Sequence, residues 1–254
     1  VIFGLIQNNL RRCKNMKFEI VKANIIDVVS DAIVLPANEA LKEGSGTSKA
    51  IFNAAGRKEL TQACEKLGHC NIGSAIPTLA YNLSSKYIIH AVVPKWIDGE
   101  HSEYDLLSSA YLASLNIAEV MGCKSVAFPL LASGNNGFDK QLAVRIAEES
   151  IELFEGVNLK KVFLVIYGNN MENYIKSLGY HVIVIPAHIK VIDKKKQHQA
   201  KQKKLIADGK DVAQDILETQ LEKAIEWIKK PENQKILFEA GIAVFNLAFK
   251  KLKK

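Results

Sequence analysis

Cysteine is scarce in this 254-residue chain: Cys13, Cys64, Cys70 and Cys123 are too few and too scattered for a disulfide framework. A reducing, cytoplasmic setting is therefore expected. Cys64, His69 and Cys70 lie close together in sequence. No second Cys/His pair stands at zinc-finger spacing, so neither a metal nor a cofactor is expected. Long apolar runs are missing as well: no stretch of 18 apolar residues occurs, which argues against a membrane-spanning helix. The opening run Val1 to Ile6 is too short for a secretory signal, and no convincing small-residue cleavage pattern follows. Met16 directly precedes the first good strand, so residues 1–15 are set apart from the fold.

Most of the chain also lacks net charge. From His188 onward there are sixteen Lys, no Arg and nine acidic residues, which accounts for the whole formal charge of +7. The preceding residues are balanced, so the basic character says nothing about a binding site there. This charge step, with a change in residue usage, places a boundary near Pro186. Four regions follow: residues 1–15, a body over 16–187, a basic linker over 188–210, and a helical region over 211–254.

The body alternates short apolar runs with helical patterns. Strands are expected at Phe18–Ile25, Ala32–Leu35, Ser74–Leu79, Tyr87–Val93, Ser125–Leu131, Lys161–Tyr167 and His181–Ile185. Several are nearly continuous in Val, Ile, Leu and Phe, as in strands covered on both faces. Thr47 to Leu67 reads as one long helix. Ser102 is the expected N-cap of a second, with Leu106, Leu107, Ala110, Tyr111, Leu115 and Ala118 on one stripe. Asp139 is the expected cap of a third, and Met171 to Leu178 forms a short fourth, stopped by Gly179. This alternation predicts an α/β domain, three layers α/β/α around a mixed sheet, with a C-terminal helical extension.

Two glycine-bearing loops stand where a strand hands over to a helix: Gly44-Ser45-Gly46-Thr47, and Ser133-Gly134-Asn135-Asn136-Gly137-Phe138. Glycine reaches positive φ and lets backbone approach a ligand closely. Exposed amides backed by a helix N-terminus make an anion site. Two such loops at the carboxyl ends of strands can grip the two phosphates of a diphosphate.

The residues in order resemble the macrodomain family, which binds ADP-ribose. The resemblance runs from about Lys17 to Ile185. It is carried by the strand ending in Pro36-Ala37-Asn38, the first loop, Ala50-Ile51 with Ala54-Ala55-Gly56, and Gly73-Ser74-Ala75. Tyr81-Asn82-Leu83 to Tyr87-Ile88-Ile89-His90, and Ala127-Phe128-Pro129 leading into the second loop, complete it. The resemblance implies that Asn38 hydrogen-bonds the distal ribose. The amides of Gly44, Ser45, Gly46 and Thr47 take one phosphate, Ser133, Gly134, Asn135, Asn136 and Gly137 wrap the diphosphate, and Phe138 packs on the distal ribose. Asn24 stands where the family usually has Asp to recognise the adenine amino group, and Ile25 lines the adenine pocket. Asn keeps a carbonyl acceptor but loses the charge.

Hydrolytic members commonly carry Gly-Gly-Val-Asp-Gly-Ala-Ile at the first loop, and Ser48 replaces that Asp here. A serine hydroxyl cannot act as a carboxylate base without a partner. His90 sits on an apolar strand and reads as a core histidine, while Glu43, just before the loop, is a possible substitute carboxylate. Asn38 is the catalytic candidate, through a water held between it and the ligand's phosphate. The expected partner is ADP-ribose or an ADP-ribosylated protein. The alternative is a hydrolase that removes ADP-ribose from proteins or deacetylates O-acetyl-ADP-ribose.

The basic linker carries Lys194-Lys195-Lys196 and Lys201, Lys203 and Lys204 without an Arg or an aromatic for base stacking, and so reads first as a solvated linker. Val212, Ile216, Leu217, Leu221, Ala224, Ile225 and Ile228 predict a helix ending before Pro231. A second, Glu232 to about Lys251, is apolar almost all round from Ile236 to Phe249 and too short to cross a bilayer. It needs something to bury against: the first tail helix, a second copy of the chain, or a membrane surface. A third reading therefore makes the tail the working part, binding nucleic acid or membrane.

Overall fold

Strands rich in β-branched and aromatic residues form the centre of the fold, in line with the alternation of patterns in the sequence. The computed structural model describes residues 16–185, together with 218, 219, 221–223, 225, 226 and 230. Its seven-stranded sheet contains β1 (Lys17–Lys22), β2 (Ala32–Ala37), β3 (Ala75–Leu79), β4 (Tyr87–Val92), β5 (Ser125–Pro129), β6 (Lys161–Ile166) and β7 (Val182–Val184), in the order β3-β4-β2-β5-β6-β1-β7. Every neighbouring pair is parallel except β3 with β4. The sheet is mixed, as the sequence predicts.

Alternate strand residues feed two cores. On β2, Ala32 and Val34 join one cluster, while Ile33, Leu35 and Ala37 join the other. On one face lie α1 (Thr47–Ala55) and α2 (Arg57–Leu67), whose Ile51, Phe52, Leu60 and Cys64 enter the second cluster. The other face carries α3 (Glu103–Val120) and α4 (Lys140–Leu153), with Leu107, Tyr111, Leu115, Ala143 and Ile146, together with α5 (Asn169–Ser177), with Ile175. This is the three-layer arrangement. It turns the carboxyl ends of β2 and β5 toward the two glycine loops.

Two local expectations are corrected. Thr47 to Leu67 is two helices, because Gly56 between them adopts φ +106 and ψ 95, which interrupts the helical hydrogen bonding. A side chain there would also crowd Glu59 and Asn82, since a Cβ would lie 2.8 Å from Glu59 Oε2 and 2.9 Å from Asn82 Nδ2. Ser102 occupies the cap position of α3 but makes no side-chain cap hydrogen bond and lies in the left-handed region at φ 59. Glu103, the first residue of α3, instead turns its carboxylate back to the segment before the helix, accepting the N–H groups of Ile97, Asp98, Gly99 and His101. Asp139 does cap α4, its Oδ1 accepting from the N–H groups of Gln141 and Leu142.

Residues 1–15, the linker over 188–210 and the apolar segment from Glu232 lie outside the described residues. Of the region from 211, residues 218, 219, 221–223, 225 and 226 are helical, and Leu221 packs against the first core cluster. Among the described residues no helix is long and apolar enough to cross a membrane.

Candidate functional site

The first loop runs from the end of β2 into α1. Gly46 precedes α1 with φ 56 and ψ −122, and no side chain caps the helix. The first N–H groups of a helix have no partner within it, so this end of α1 is an anion-binding geometry. Ser48 is buried, and its Oγ accepts the N–H of Gly44 at 3.0 Å. The hydroxyl therefore pins the loop shut from below. The second loop follows β5. Ala132 enters it at φ 61 and Gly137 leaves it at φ 79, where the Gly137 and Phe138 N–H groups donate to the carbonyls of Gly134 and Ala132.

The two loops touch. Asn135 Nδ2 donates to Ser45 Oγ at 2.7 Å, joining positions ninety residues apart. Asn136 Nδ2 donates to the Pro94 carbonyl at 2.8 Å, and its own carbonyl accepts the Trp96 N–H at 2.7 Å. Asparagine side chains thus fix the second loop against both the first loop and the segment after β4.

Two cavities border the first loop, and the larger also borders the second. The larger, about 790 Å³, brings together Asn38, residues 44–48 and residues 133–136. The smaller, about 410 Å³, is lined by Asn24, Ile25, Pro129, Val165 and Tyr167. Gly46 and Thr47 line both. Each volume falls in the range of roughly 300–1,000 Å³ usual for small-molecule sites. Asn24 is exposed with no side-chain cap bond, and Ile25 is buried beside it. Tyr167, 79% exposed, presents an aromatic ring at the smaller cavity and was missed by sequence reasoning. Its position at the end of a strand was the only available signal.

Among the described residues four non-glycine residues have positive φ; Ala132 lines the larger cavity, Leu41 stands between Asn38 and the first loop, and Ser102 stands between the lining residues His101 and Glu103. Such backbone costs about 1–3 kcal/mol per residue and concentrates at binding sites. The turn at Leu41 is held by Asn38, whose Nδ2 donates to the Lys42 carbonyl at 2.8 Å while its Oδ1 accepts the Lys42 N–H at 3.1 Å. Asn38 therefore shapes the wall as well as lining it.

Other anticipated residues sit elsewhere. Phe138 is 3% exposed, packs edge-on against Trp96 at 5.1 Å, and supports the second loop from the core without lining either cavity. Glu43 pairs with Arg57 at 3.0 Å and lines neither cavity. His90 is fully buried, with Nε2 2.9 Å from Thr78 Oγ1, and burial pushes its pKa down to about 4. It is the core histidine that the apolar strand suggested. Cys64 and Cys70 are buried thiols whose pKa values burial raises to about 11 and 12, which makes both inert as nucleophiles.

The wall after β4 is organised by Glu103. One oxygen accepts the N–H groups of Ile97, Asp98 and Gly99, and the other accepts that of His101. Burial works to raise this carboxyl, but the backbone N–H groups outweigh it and hold the pKa at about 2.

The macro domain family model matches residues 34–147, the span that holds Asn38 and both loops. A macro domain-containing protein of Caldanaerobacter subterraneus subsp. tengcongensis is 41% identical over 166 residues, which cover 63% of this chain and 95% of that protein. The chain belongs to the macro domain family. An O-acetyl-ADP-ribose deacetylase of Escherichia fergusonii is 41% identical over 142 residues, covering 54% of this chain and 80% of that protein. Among solved structures, the Oceanobacillus iheyensis macrodomain with ADP superposes with a TM-score of 0.60 at 28% identity, over 65% of this chain and 90% of that one. A mutant of the same macrodomain has been solved with ADPR. The fold of this chain is thus that of a family with members solved with ADP and with ADPR.

Proposed function

We propose that this macrodomain binds ADP-ribose, free or attached to protein, across its two cavities. The observation that carries the reading is their junction: a cavity with an exposed tyrosine beside Asn24 and Ile25, and a larger one with Asn38 and both glycine loops, share Gly46 and Thr47 at the uncapped start of α1. A ligand with an adenine, a diphosphate and a second ribose fits that sequence of surfaces. The adenine enters the smaller cavity, its amino group donating to the Asn24 side-chain carbonyl and its ring lying against Ile25 and Tyr167. The diphosphate lies between the Gly44–Thr47 and Ser133–Gly137 backbones, and the distal ribose lies toward Asn38. Phe138 acts through the loop it supports. Solved macrodomains with ADP and ADPR support the ligand class. Calorimetric titration of the full chain with ADP-ribose, AMP and ribose 5-phosphate tests the reading.

A second reading is favoured by the relatives named O-acetyl-ADP-ribose deacetylases: hydrolysis of an acyl linkage in the same pocket. Ser48 offers no base for it, since its Oγ is engaged with Gly44. Proton transfer must come from another group or from the ligand itself.

A further inference from the structure

The wall formed by residues 97–103 carries a titratable group that the reading above does not use. His101 lines the 790 Å³ cavity together with Asn38 and both glycine loops. Its Nδ1 lies 2.9 Å from Asp98 Oδ1. A carboxylate can only accept, so Nδ1 carries the proton and Nε2 is left as the basic nitrogen. Asp98 is itself oriented, its Oδ1 also accepting the Glu100 N–H at 2.9 Å. The backbone beneath is fixed by Glu103, which accepts the His101 N–H at 2.7 Å, and by the left-handed turn at Ser102. A histidine oriented by a carboxylate on a braced loop beside a ligand cavity is the arrangement general-base chemistry requires. The three side chains have ligand atoms within 4.8 Å of one another, but both Glu103 oxygens already accept backbone N–H groups, which leaves a cation a poor site.

We propose that His101, oriented by Asp98, is the acid–base residue with which this chain hydrolyses an ester on a ribose hydroxyl of ADP-ribose. The inference rests on the ADP-ribose reading and adds the reaction. Water attacks the ester carbonyl carbon and passes a proton to Nε2. The bond from that carbon to the ribose oxygen then breaks, and the ribose oxygen takes the proton back from Nε2. The products are a carboxylic acid and free ADP-ribose, and the imidazole returns to its neutral form. His101 thereby supplies the base that the loop lost with Ser48. The charged and titratable groups around His101 are Asp98 and Glu100 on its own segment, Glu103 at the start of α3, and Lys95 and Glu39 in the same cavity. The hydrogen bond to Asp98 raises the His101 pKa above its ordinary value.

The test uses the full chain with O-acetyl-ADP-ribose, after calorimetry with ADP-ribose. The base must be neutral, so kcat rises with pH along a limb set by His101. His101→Gln lowers kcat by about 10²–10⁴-fold, changes KM far less, and abolishes the limb. Asp98→Asn removes what raises the His101 pKa, so its limb moves to lower pH, a shift that a structural role for Asp98 would not produce. Thermal melting of both variants confirms that they fold. If ADP-ribose does not bind, the underlying reading fails and takes the inference with it. If ADP-ribose binds but the parent has no turnover, or His101→Gln matches the parent, or the limb stays put in Asp98→Asn, the inference alone is overturned.

Discussion

Placing a carboxylate in the second loop separates the site from the fold more cleanly than any other single change. Gly134 is exposed at an ordinary φ, and a Cβ built on it meets nothing within 4 Å. Gly134→Glu is therefore accommodated, with thermal stability near that of the parent. Gly46→Glu is a poorer probe: Gly46 has equally open surroundings, but its φ of 56 with ψ −122 strains any L residue. In the proposed complex the new carboxylate of Gly134→Glu stands near the diphosphate. At a separation of about 5 Å and an effective dielectric of about 20, each phosphate charge repels it by about 3 kcal/mol. ADP-ribose affinity then falls by at least about a hundredfold, read by calorimetry. Gly134→Ala, which adds volume without charge, keeps most of the affinity, and the penalty for Glu shrinks in high salt. A Gly134→Glu protein that binds as the parent does would remove the diphosphate from this loop and refute the reasoning.

Three further outcomes follow from the geometry. Asn24→Asp tightens ADP-ribose by at most about 1 kcal/mol, because a carboxylate is the stronger acceptor for the adenine amino group, and leaves ribose 5-phosphate unchanged; an equal effect on both ligands would place Asn24 away from the adenine. In the His101→Gln background, Ser48→Asp keeps an acceptor for the Gly44 N–H and restores a base, so turnover on ester-linked ADP-ribose rises by up to about 10²–10⁴-fold, and an unchanged rate in a folded double variant would show that the carboxylate does not reach the water. Acid destabilises the fold in two windows. His90 is neutral in the fold, with its pKa lowered to about 4, so its contribution is complete above 6.5 and is lost as pH falls to about 4. Glu103 is held at about 2 against an ordinary 4.5, so its contribution is complete above that value and is lost as pH falls through about 2. Melting temperature against pH shows both, and Glu103→Gln flattens only the lower one.

The strands and most helices were legible because their signals are local and repeated. Continuous Val, Ile and Leu over β2, β4 and β6 match residues packed on both faces of the sheet, where alternate side chains feed separate cores. Errors arose where one residue overrode a good periodic pattern. Apolar spacing continues through Gly56, yet its positive φ divides α1 from α2. Serine before a helical stripe is a sound capping signal, but Ser102 lies in the left-handed region and makes no cap bond, while the buried glutamate after it anchors the four N–H groups of the preceding segment.

Both glycine loops were legible from their composition, and the structure places them on one cavity. Their tie through Ser45 and Asn135 was not, because nothing local relates residues that far apart. The same limit hid Tyr167 and His101. An exposed tyrosine after a strand and a histidine in a polar turn are ordinary in sequence, and only the fold brings them to the cavity walls. Phe138 was misjudged in the opposite sense: its place in the loop motif suggested ligand contact, whereas its burial against Trp96 makes it the support beneath.

The most direct measurement of the central claim is a calorimetric titration of the full chain with ADP-ribose, beside AMP and ribose 5-phosphate under the same conditions. The account predicts one ADP-ribose per chain, bound more tightly than either fragment, because only the whole ligand fills both cavities and meets both loops. No binding of ADP-ribose, or an affinity no greater than that of AMP, would contradict it.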